Sequence, residues 1–463
     1  MERKLGCGSV TAASVGLIVA SSCLVILAQL TGLAGKDLYI PMLIALLINT
    51  AVAFTFLELY SLMPQYYGGL GQFNLATFGP FVSIISTISS YAICILLANT
   101  IETSMLGMVV TEIFIPGVNP FLISLAIMIF LLVINLLGIN FFAKLQNLVV
   151  IFLVGSLLIM GIMGVLKIAP GEVIPANQQS SPAITGFLPL IGLSALAFWL
   201  FIGIEFAIPL AKSIKNPKRN LLFGMLTGLV LLFSVQTLLG LGIANYVDLN
   251  LLLSSNTPHL LFAEKMFGTL GKYWMGALSL IAAISTLNTM YAAGARIFHG
   301  MAKDGLLPSV LAKTNQHGSP YVIMLIQTII LLAISGMGAG TTDEFVILLL
   351  SASCFWLIAY VIAHLNVLTL KLKYPTAKRN KILSFMGIPQ IIGILGSIFM
   401  VINISDDLDQ RATVYKIFFI VLSILIIYSA TWVKLKMKKR LFQSEGFDNE
   451  KLLDINRAEK NLF

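Results

Sequence analysis

The sequence contains about twelve apolar stretches, separated by short polar or Gly- and Pro-containing segments. A helix needs about twenty apolar residues to cross the hydrocarbon core of a bilayer. We therefore predict an all-α integral membrane protein with about twelve transmembrane helices. A moderately apolar segment around residues 250–270 is predicted as a loop with a short interfacial helix. The predicted transmembrane helices span residues 10–31, 39–62, 79–108, 120–138, 146–167, 187–210, 220–244, 272–298, 320–338, 344–368, 386–404 and 415–435.

The composition excludes a water-soluble globular protein. Charged residues make up only 11% of the 463 residues, whereas soluble domains carry roughly 25%. The four cysteines show no paired spacing, so we predict neither a disulfide framework nor a metal site. The first apolar stretch continues past Gly32 without a small-residue cleavage site. It is therefore interpreted as a retained helix and not as a signal peptide.

The distribution of basic residues predicts the orientation. If the N-terminus lies inside, 23 of the 29 Lys and Arg residues fall in inner segments and 6 in outer ones. Such an excess marks the cytoplasmic side, so we predict a plasma (inner) membrane protein with both termini in the cytoplasm. Residues 437–463 would form a cytoplasmic tail. The net charge of +9 is then explained by the excess of Lys and Arg on the cytoplasmic side, and no nucleic-acid partner is predicted.

Three carboxylates fall within predicted helices, where ionisable groups are costly and commonly functional. Glu58 lies near the inner end of the second helix, where a short reach to water or to a helix terminus could satisfy it. Asn99 and Glu102 are three residues apart on the third helix and so share a face. Together they could receive an ammonium or guanidinium group. Alternatively, Glu102 faces an outer vestibule.

Glu205 follows an aromatic-rich stretch that contains Gly203. Burial disfavours the charged form of a carboxylate, so Glu205 could take up and release a proton. Gly203 would make local unwinding of the helix inexpensive. The alternative is an ordinary lipid-facing helix whose glutamate is paired to a neighbour.

The first helix contains the small residues Ala20, Ser21 and Ser22. Small residues are common where transmembrane helices pack together, and packing alone would explain them. Alternatively, the helix is broken there and directs its backbone N–H groups at a substrate carboxylate, as in transporters built on inverted repeats.

Three sets of motifs resemble the amino acid–polyamine–organocation superfamily of permeases. The first runs from Ser285-Thr286-Leu287-Asn288 through Ala302-Lys303-Asp304-Gly305-Leu306-Leu307-Pro308 to Gly318-Ser319-Pro320 and is similar to the eighth helix and its following loop. The second joins residues 201–205 to Lys215-Asn216-Pro217-Lys218-Arg219 and is similar to the sixth helix and its exit. The third, residues 58–69, resembles the end of the second helix with its Gly68-Gly69 loop.

The resemblance implies a leucine-transporter-like fold. Residues 1–170 and 171–370 would form two inverted repeats of five helices, followed by two C-terminal helices in 371–436. Helices 1 and 6 would be broken, and their unwound backbone would hold the substrate's carboxylate and amine. On this chain, the residues that the resemblance implies at the substrate are Ala20, Ser21, Ser22, Trp199, Phe201, Ile202 and Gly203, with Trp199 stacking over the substrate. Glu205 would serve proton coupling or gating.

Two departures from the family pattern bear on the substrate and on coupling. The Gly-Ser-Gly of helix 1 is Ala-Ser-Ser here, which we expect to limit backbone freedom and to crowd the carboxylate site. The lysine that some branches carry in helix 5 is absent, and Leu153 falls nearest its place. Coupling through that lysine is therefore not expected.

The sequence thus predicts a secondary active transporter that carries amino acids or related amines by alternating access, as an exchanger. Protons are a candidate coupling partner, and no cofactor is expected. The alternatives are a proton-coupled amino acid symporter and a non-transporting sensor with the transporter fold. Zinc-protease, nucleophile-elbow and phosphate-loop motifs are missing from the sequence, so an enzyme is not predicted.

Overall fold

The computed structural model describes residues 5–64, 69–138, 141–175, 177–336, 342–375, 377, 379 and 385–444. Within this part of the chain the regular structure is helical, and only an isolated bridge between Leu5 and Ile214 has β geometry. Gly68 of the predicted Gly-Gly loop and residues 445–463 of the predicted tail lie outside the described residues.

Helices account for most of the described chain. The α-helices are α1 (Cys7–Ile18), α2 (Ser21–Ala34), α3 (Tyr39–Leu62), α4 (Leu70–Phe78), α5 (Pro80–Thr87), α6 (Cys94–Ile113), α7 (Pro120–Leu136), α8 (Phe141–Leu166), α9 (Phe187–Gly192), α10 (Ser194–Ala197), α11 (Pro217–Tyr246), α12 (Leu249–Ser254), α13 (Pro258–Lys303), α14 (Tyr321–Gly336), α15 (Thr342–Lys373), α16 (Ile388–Ile402) and α17 (Leu408–Thr431). The 3₁₀ segments are Gly35–Leu38, Phe198–Phe201, Ile204–Ser213, Ser309–Ala312 and Phe385–Gly387, and wider π turns cover Ile88–Ile93 and Trp432–Lys436.

Each predicted transmembrane helix corresponds to a helical stretch in the described residues. Seven stretches are long and apolar enough to cross a membrane, and one of them, Ser21–Leu62, contains both α2 and α3. Four shorter apolar helices accompany them. The protein is therefore a multi-pass membrane protein. We call α1 with α2 the first helix, and residues 187–213 the sixth helix.

One local prediction is wrong, and one helix was not predicted. The segment 250–270 is largely helical, because α12 is followed at once by α13, whose N-terminal part is set off by non-helical backbone at Gly268 (φ 63°). The short α4, between the second and third predicted helices, was not expected at all. Glycines at its two ends have left-handed backbone, Gly69 (φ 68°) and Gly79 (φ 90°).

Glycines bring α8 and α11 into backbone contact. A Cβ atom added at Gly164 would lie 2.7 Å from the Cα atom of Gly242, and one added at Gly161 would lie 2.9 Å from the backbone nitrogen of Leu239. Between membrane helices, packing supplies much of the attraction, so small residues that let two backbones approach are stabilising.

Glu58 joins three separate segments. Its buried carboxylate lies 3.6 Å from Lys371 Nζ on α15 and 3.3 Å from Arg379 Nε, and Gln390 of α16 donates to it at 3.3 Å. Thr55, three residues earlier, contacts His364 Nδ1 at 2.8 Å. The carboxylate is thus paired with basic side chains and with Gln390, in the first turn of α16.

We predict that Gly164→Ala lowers the thermal unfolding midpoint in detergent. The added methyl group would force α8 and α11 apart, and overpacking of this kind costs about 1–3 kcal/mol. Gly155→Ala in the same helix is the matched control, because nothing lies within 4 Å of its added Cβ. Equal behaviour of the two variants would contradict the close contact of the two helices.

Candidate functional site

The first helix is interrupted directly before Ser21. Val19 (φ −76°, ψ 87°) and Ala20 (φ −105°, ψ 165°) leave the helical conformation, so the N–H groups of the first turn of α2 lack partners within the helix. Ala20 is extended and Val19 has a negative φ, so neither position requires glycine. The break therefore forms with Ala-Ser-Ser in place of Gly-Ser-Gly.

The carboxylate of Glu102, on α6, caps the N-terminus of α2. The backbone N–H of Ser21 donates to Oε2 at 3.1 Å, and that of Ser22 donates to Oε1 at 2.9 Å. A negative charge is favoured at a helix N-terminus, both by these donors and by the helix dipole. Because Glu102 is only 1% exposed, the alternative in which it faces an outer vestibule is wrong.

Two further polar groups near this carboxylate are buried and lack hydrogen-bond partners among the described residues. They are the side-chain oxygen of Asn99, one helical turn before Glu102, and the hydroxyl of Ser21. Buried polar groups are nearly always paired in native proteins.

The sixth helix is interrupted at Ile202 and Gly203. Ile202 is extended (ψ 135°) and Gly203 is left-handed (φ 107°), a conformation that glycine adopts without steric cost. Of the carbonyls released by the break, that of Leu200 accepts a hydrogen bond at 3.0 Å from Gln236 Nε2 of α11. The neighbouring Phe201 is fully buried.

The two interruptions touch each other. Trp199 Nε1 donates to the hydroxyl of Ser22 at 3.0 Å, and the Sγ of Cys23 lies 4.0 Å from the carbonyl oxygen of Trp199. A Cβ placed on Gly203 would be 3.8 Å from Cγ1 of Ile18, the last residue of α1. The structure thus gathers Ala20, Ser21, Ser22, Glu102 and the sixth-helix residues 199–203 into one region, with Asn99 beside it. Their role in binding substrate stays a prediction.

Glu205 lies beyond the second interruption, against α15. Trp356 Nε1 donates to Oε1 at 3.0 Å and the Tyr360 hydroxyl donates to Oε2 at 2.6 Å. The two donors are four residues apart and share one helix face. Glu205 is 3% exposed, so the interpretation as a lipid-facing residue is wrong.

Aromatic rings surround this carboxylate. Tyr91, in the π turn before α6, makes edge contacts with Phe206 and Trp356, at ring-centroid distances of 5.5 and 6.4 Å. Phe56 and Phe198 contact Tyr360 at 6.1 and 6.0 Å. Tyr91, Trp356 and Tyr360 are not among the site residues predicted from the sequence. The spacing of Trp356 and Tyr360 was a usable signal, whereas the π turn at Tyr91 has no sequence signature that we recognise.

Two cavities lie toward opposite ends of the sixth helix. One, of about 220 Å³, is lined by Glu205, Pro209, Arg296 and Asp304 among others. The other, of about 330 Å³, is lined by Leu193, Leu196 and polar residues that include Gln29, Asn403 and Asp406. The interrupted segment of the sixth helix, Phe198–Phe201 with Ile202, lies along the chain between the residues that line the two cavities.

The sequence profile of the amino acid permease family matches residues 5–430. The chain belongs to this family. It is therefore a membrane transporter protein and not an enzyme, which confirms the predicted family and class.

Curated relatives agree with this assignment. A branched-chain amino acid permease, BcaP, of Bacillus subtilis (strain 168) is 24% identical over 87% of this chain and 88% of its own length. The BcaP of Lactococcus lactis subsp. cremoris (strain MG1363) is 23% identical over 90% and 92%. A protein of Bacillus subtilis (strain 168) named as an arginine/ornithine antiporter is 24% identical, and this match spans 53% of either protein.

Solved structures confirm the fold. A manganese transporter of Eremococcus coleocola, crystallised with an aromatic bis-isothiourea compound, superposes with a TM-score of 0.59 and 16% sequence identity. The match covers 92% of this chain and 94% of that chain. At this identity the likeness concerns the fold alone, and it supports the predicted leucine-transporter-like architecture.

We predict that Trp199→Phe raises the apparent KM for uptake by proteoliposomes. The substitution keeps an aromatic ring but removes the N–H that holds the Ser22 hydroxyl. Loss of one such bond costs about 0.5–1.5 kcal/mol, which corresponds to roughly a 2- to 12-fold change in affinity. Trp274→Phe, at a position 47% exposed on α13, should leave KM unchanged. An unaltered KM in Trp199→Phe would remove Trp199 from the site.

Proposed function

We propose that this protein is a secondary active transporter that exchanges amino acids or related amines across the membrane by alternating access. The observation that carries the proposal is the contact between the two interrupted helices at Ser22 and Trp199. Interrupted helices that meet within the membrane expose backbone groups to a ligand. Members of the same family, such as the two BcaP permeases, are named for amino acid transport.

The two cavities support alternating access. Each lies toward a different end of the sixth helix, and the interrupted segment is between them. A substrate held at the interruption would reach one side or the other as the surrounding helices move. In this proposal, residues 1–170 and 171–370 form the two inverted repeats, and both termini face the cytoplasm of a plasma (inner) membrane protein.

The surroundings of the first interruption support exchange. Val154 and Leu157 of the fifth transmembrane helix, α8, line a small apolar cavity together with Val19, and Leu153 is buried. Among the described side chains of α8, none brings a positive charge to this cavity. Coupling through a fifth-helix cation is thus unsupported, whereas exchange of one substrate for another needs no such group.

Proton symport is the second candidate, and Glu205 favours it. This buried carboxylate is held by a neutral indole and a neutral phenol, and it forms no ion pair with a basic side chain in the described part of the chain. A buried carboxylate without a fixed counter-charge is suited to bind a proton. A non-transporting sensor receives no support from relatives that are named as permeases and antiporters.

Counterflow in liposomes tests exchange. Purified protein is reconstituted in liposomes preloaded with unlabelled amino acids and amines, and uptake of a labelled panel of neutral, acidic, cationic and decarboxylated compounds is measured. We expect uptake of one class that disappears when the lumen is empty. Uptake that persists without internal substrate and follows an imposed pH gradient would instead support symport. No uptake by demonstrably folded protein would overturn the proposal.

We predict that Glu205→Gln flattens the pH dependence of transport without preventing membrane insertion, because glutamine cannot bind and release a proton in this range. Initial uptake rates are compared from acidic to alkaline pH, with size-exclusion chromatography as the measure of folding. Glu172→Gln, at an exposed position in the loop after α8, is the matched control. An unchanged pH profile in Glu205→Gln would make Glu205 a structural residue.

A further inference from the structure

The N-terminus of α2 is the part of this fold suited to hold a substrate carboxylate, because half-helix N-termini in transporters of this architecture point at anionic substrate groups. Here the protein itself supplies the anion. Both backbone N–H groups at this end, those of Ser21 and Ser22, donate to Glu102. A substrate carboxylate would find these donors engaged and a like charge beside them.

Glu102 lacks a positively charged partner among the described residues. Glu58 differs in this respect, because that equally buried carboxylate lies within 4 Å of both Lys371 and Arg379. A buried charge is costly unless it is paired. The dipole and the amides of α2 offset part of that cost, and a cation would offset the remainder.

The polar groups around Glu102 can still accept hydrogen bonds. The two oxygens of Glu102 accept hydrogen bonds from the backbone N–H groups of Ser21 and Ser22, and the Ser22 hydroxyl is a third donor to this carboxylate, which leaves one of its roughly four lone-pair positions open. The side-chain oxygen of Asn99 and the hydroxyl of Ser21 have no partner in the described part of the chain. An alkylammonium group offers three N–H donors and no acceptor, which complements this set. A carboxylate would add two more acceptors.

We propose that Glu102 takes the place of the substrate's own carboxylate, so that the preferred substrates are cationic amines without an α-carboxylate. The ammonium group binds against Glu102, Asn99 and Ser21, within the contact of the two interrupted helices. This inference rests on the proposed transport function and selects one substrate class within it.

Matched pairs of compounds test the proposal. Putrescine and ornithine, agmatine and arginine, and 3-methylbutylamine and leucine each differ only by the carboxylate. Affinity is measured by isothermal titration calorimetry on the purified wild-type protein in detergent, and counterflow is measured in liposomes. We expect each amine to bind at least about tenfold more tightly than its parent amino acid, as loss of one charge-assisted contact would give.

Substitution of Glu102 separates its charge from its shape. Glu102→Gln keeps an acceptor oxygen but removes the charge, and we expect it to weaken amine binding by about 10- to 100-fold. Glu112→Gln is the matched control, because Glu112 lies on the same helix, is 37% exposed and pairs with Lys272. The control should bind amines like the wild type.

The outcomes distinguish this inference from the proposed function. Wild-type protein that binds the parent amino acids more tightly than the amines would overturn the inference. Amino acid binding that is tighter in Glu102→Gln than in the wild type would support it, because the charge that repels a substrate carboxylate has been removed. Amine binding without counterflow would support the inference while contradicting exchange. Because the wild-type comparison needs no variant, misfolding of Glu102→Gln would not decide the question. Absence of amine binding to folded wild-type protein would overturn the inference.

Discussion

The paired hydrogen bonds from the N-terminus of α2 to Glu102 are the interaction on which the centre of this protein depends. An interrupted helix within a bilayer releases backbone groups that lipid cannot satisfy, at a cost of several kcal/mol each. Glu102 satisfies two of these groups and brings α6 against the first helix. Ser22, fixed in this way, then accepts from Trp199 and so joins the first interruption to the second.

Three glutamates are buried in the same low-dielectric environment, and the groups that contact each of them differ. Glu58 is paired with two basic side chains, so its charge is compensated within the protein and its role is to connect α3 to α15. Glu102 is held by backbone amides at the N-terminus of α2, and no basic side chain pairs with it in the described part of the chain. Glu205 is held by an indole and a phenol and forms no ion pair with a basic side chain in the described part of the chain, so a proton or a ligand could supply its counter-charge. Residue type and hydropathy are similar at all three positions, and the neighbours make the difference.

The helices and the places of the two interruptions could be predicted from sequence, because long apolar stretches, Gly203 and the small residues 20–22 are local signals. The residues that contact Glu102 and Glu205 could not be predicted in this way. Glu102 meets Ser21 across 81 positions, and Trp356 and Tyr360 meet Glu205 across more than 150, so their contacts depend on packing of distant helices. The sequence alone also suggested that alanine and serine would restrict the first interruption. The break nevertheless forms there, because neither Val19 nor Ala20 takes a backbone conformation that requires glycine.

The two interruptions differ in a way that constrains movement. The first is formed by L-residues with negative φ and is tied to α6 by the Glu102 carboxylate, whereas the second depends on the left-handed backbone of Gly203. Beyond Gly203, the sixth helix is bound to α15 through both oxygens of Glu205. Any tilt of this half of the helix must either carry α15 along or break two buried hydrogen bonds. Because neutral Glu205 could accept only one of these bonds as strongly, the protonation state of this carboxylate would set how firmly the two helices move together.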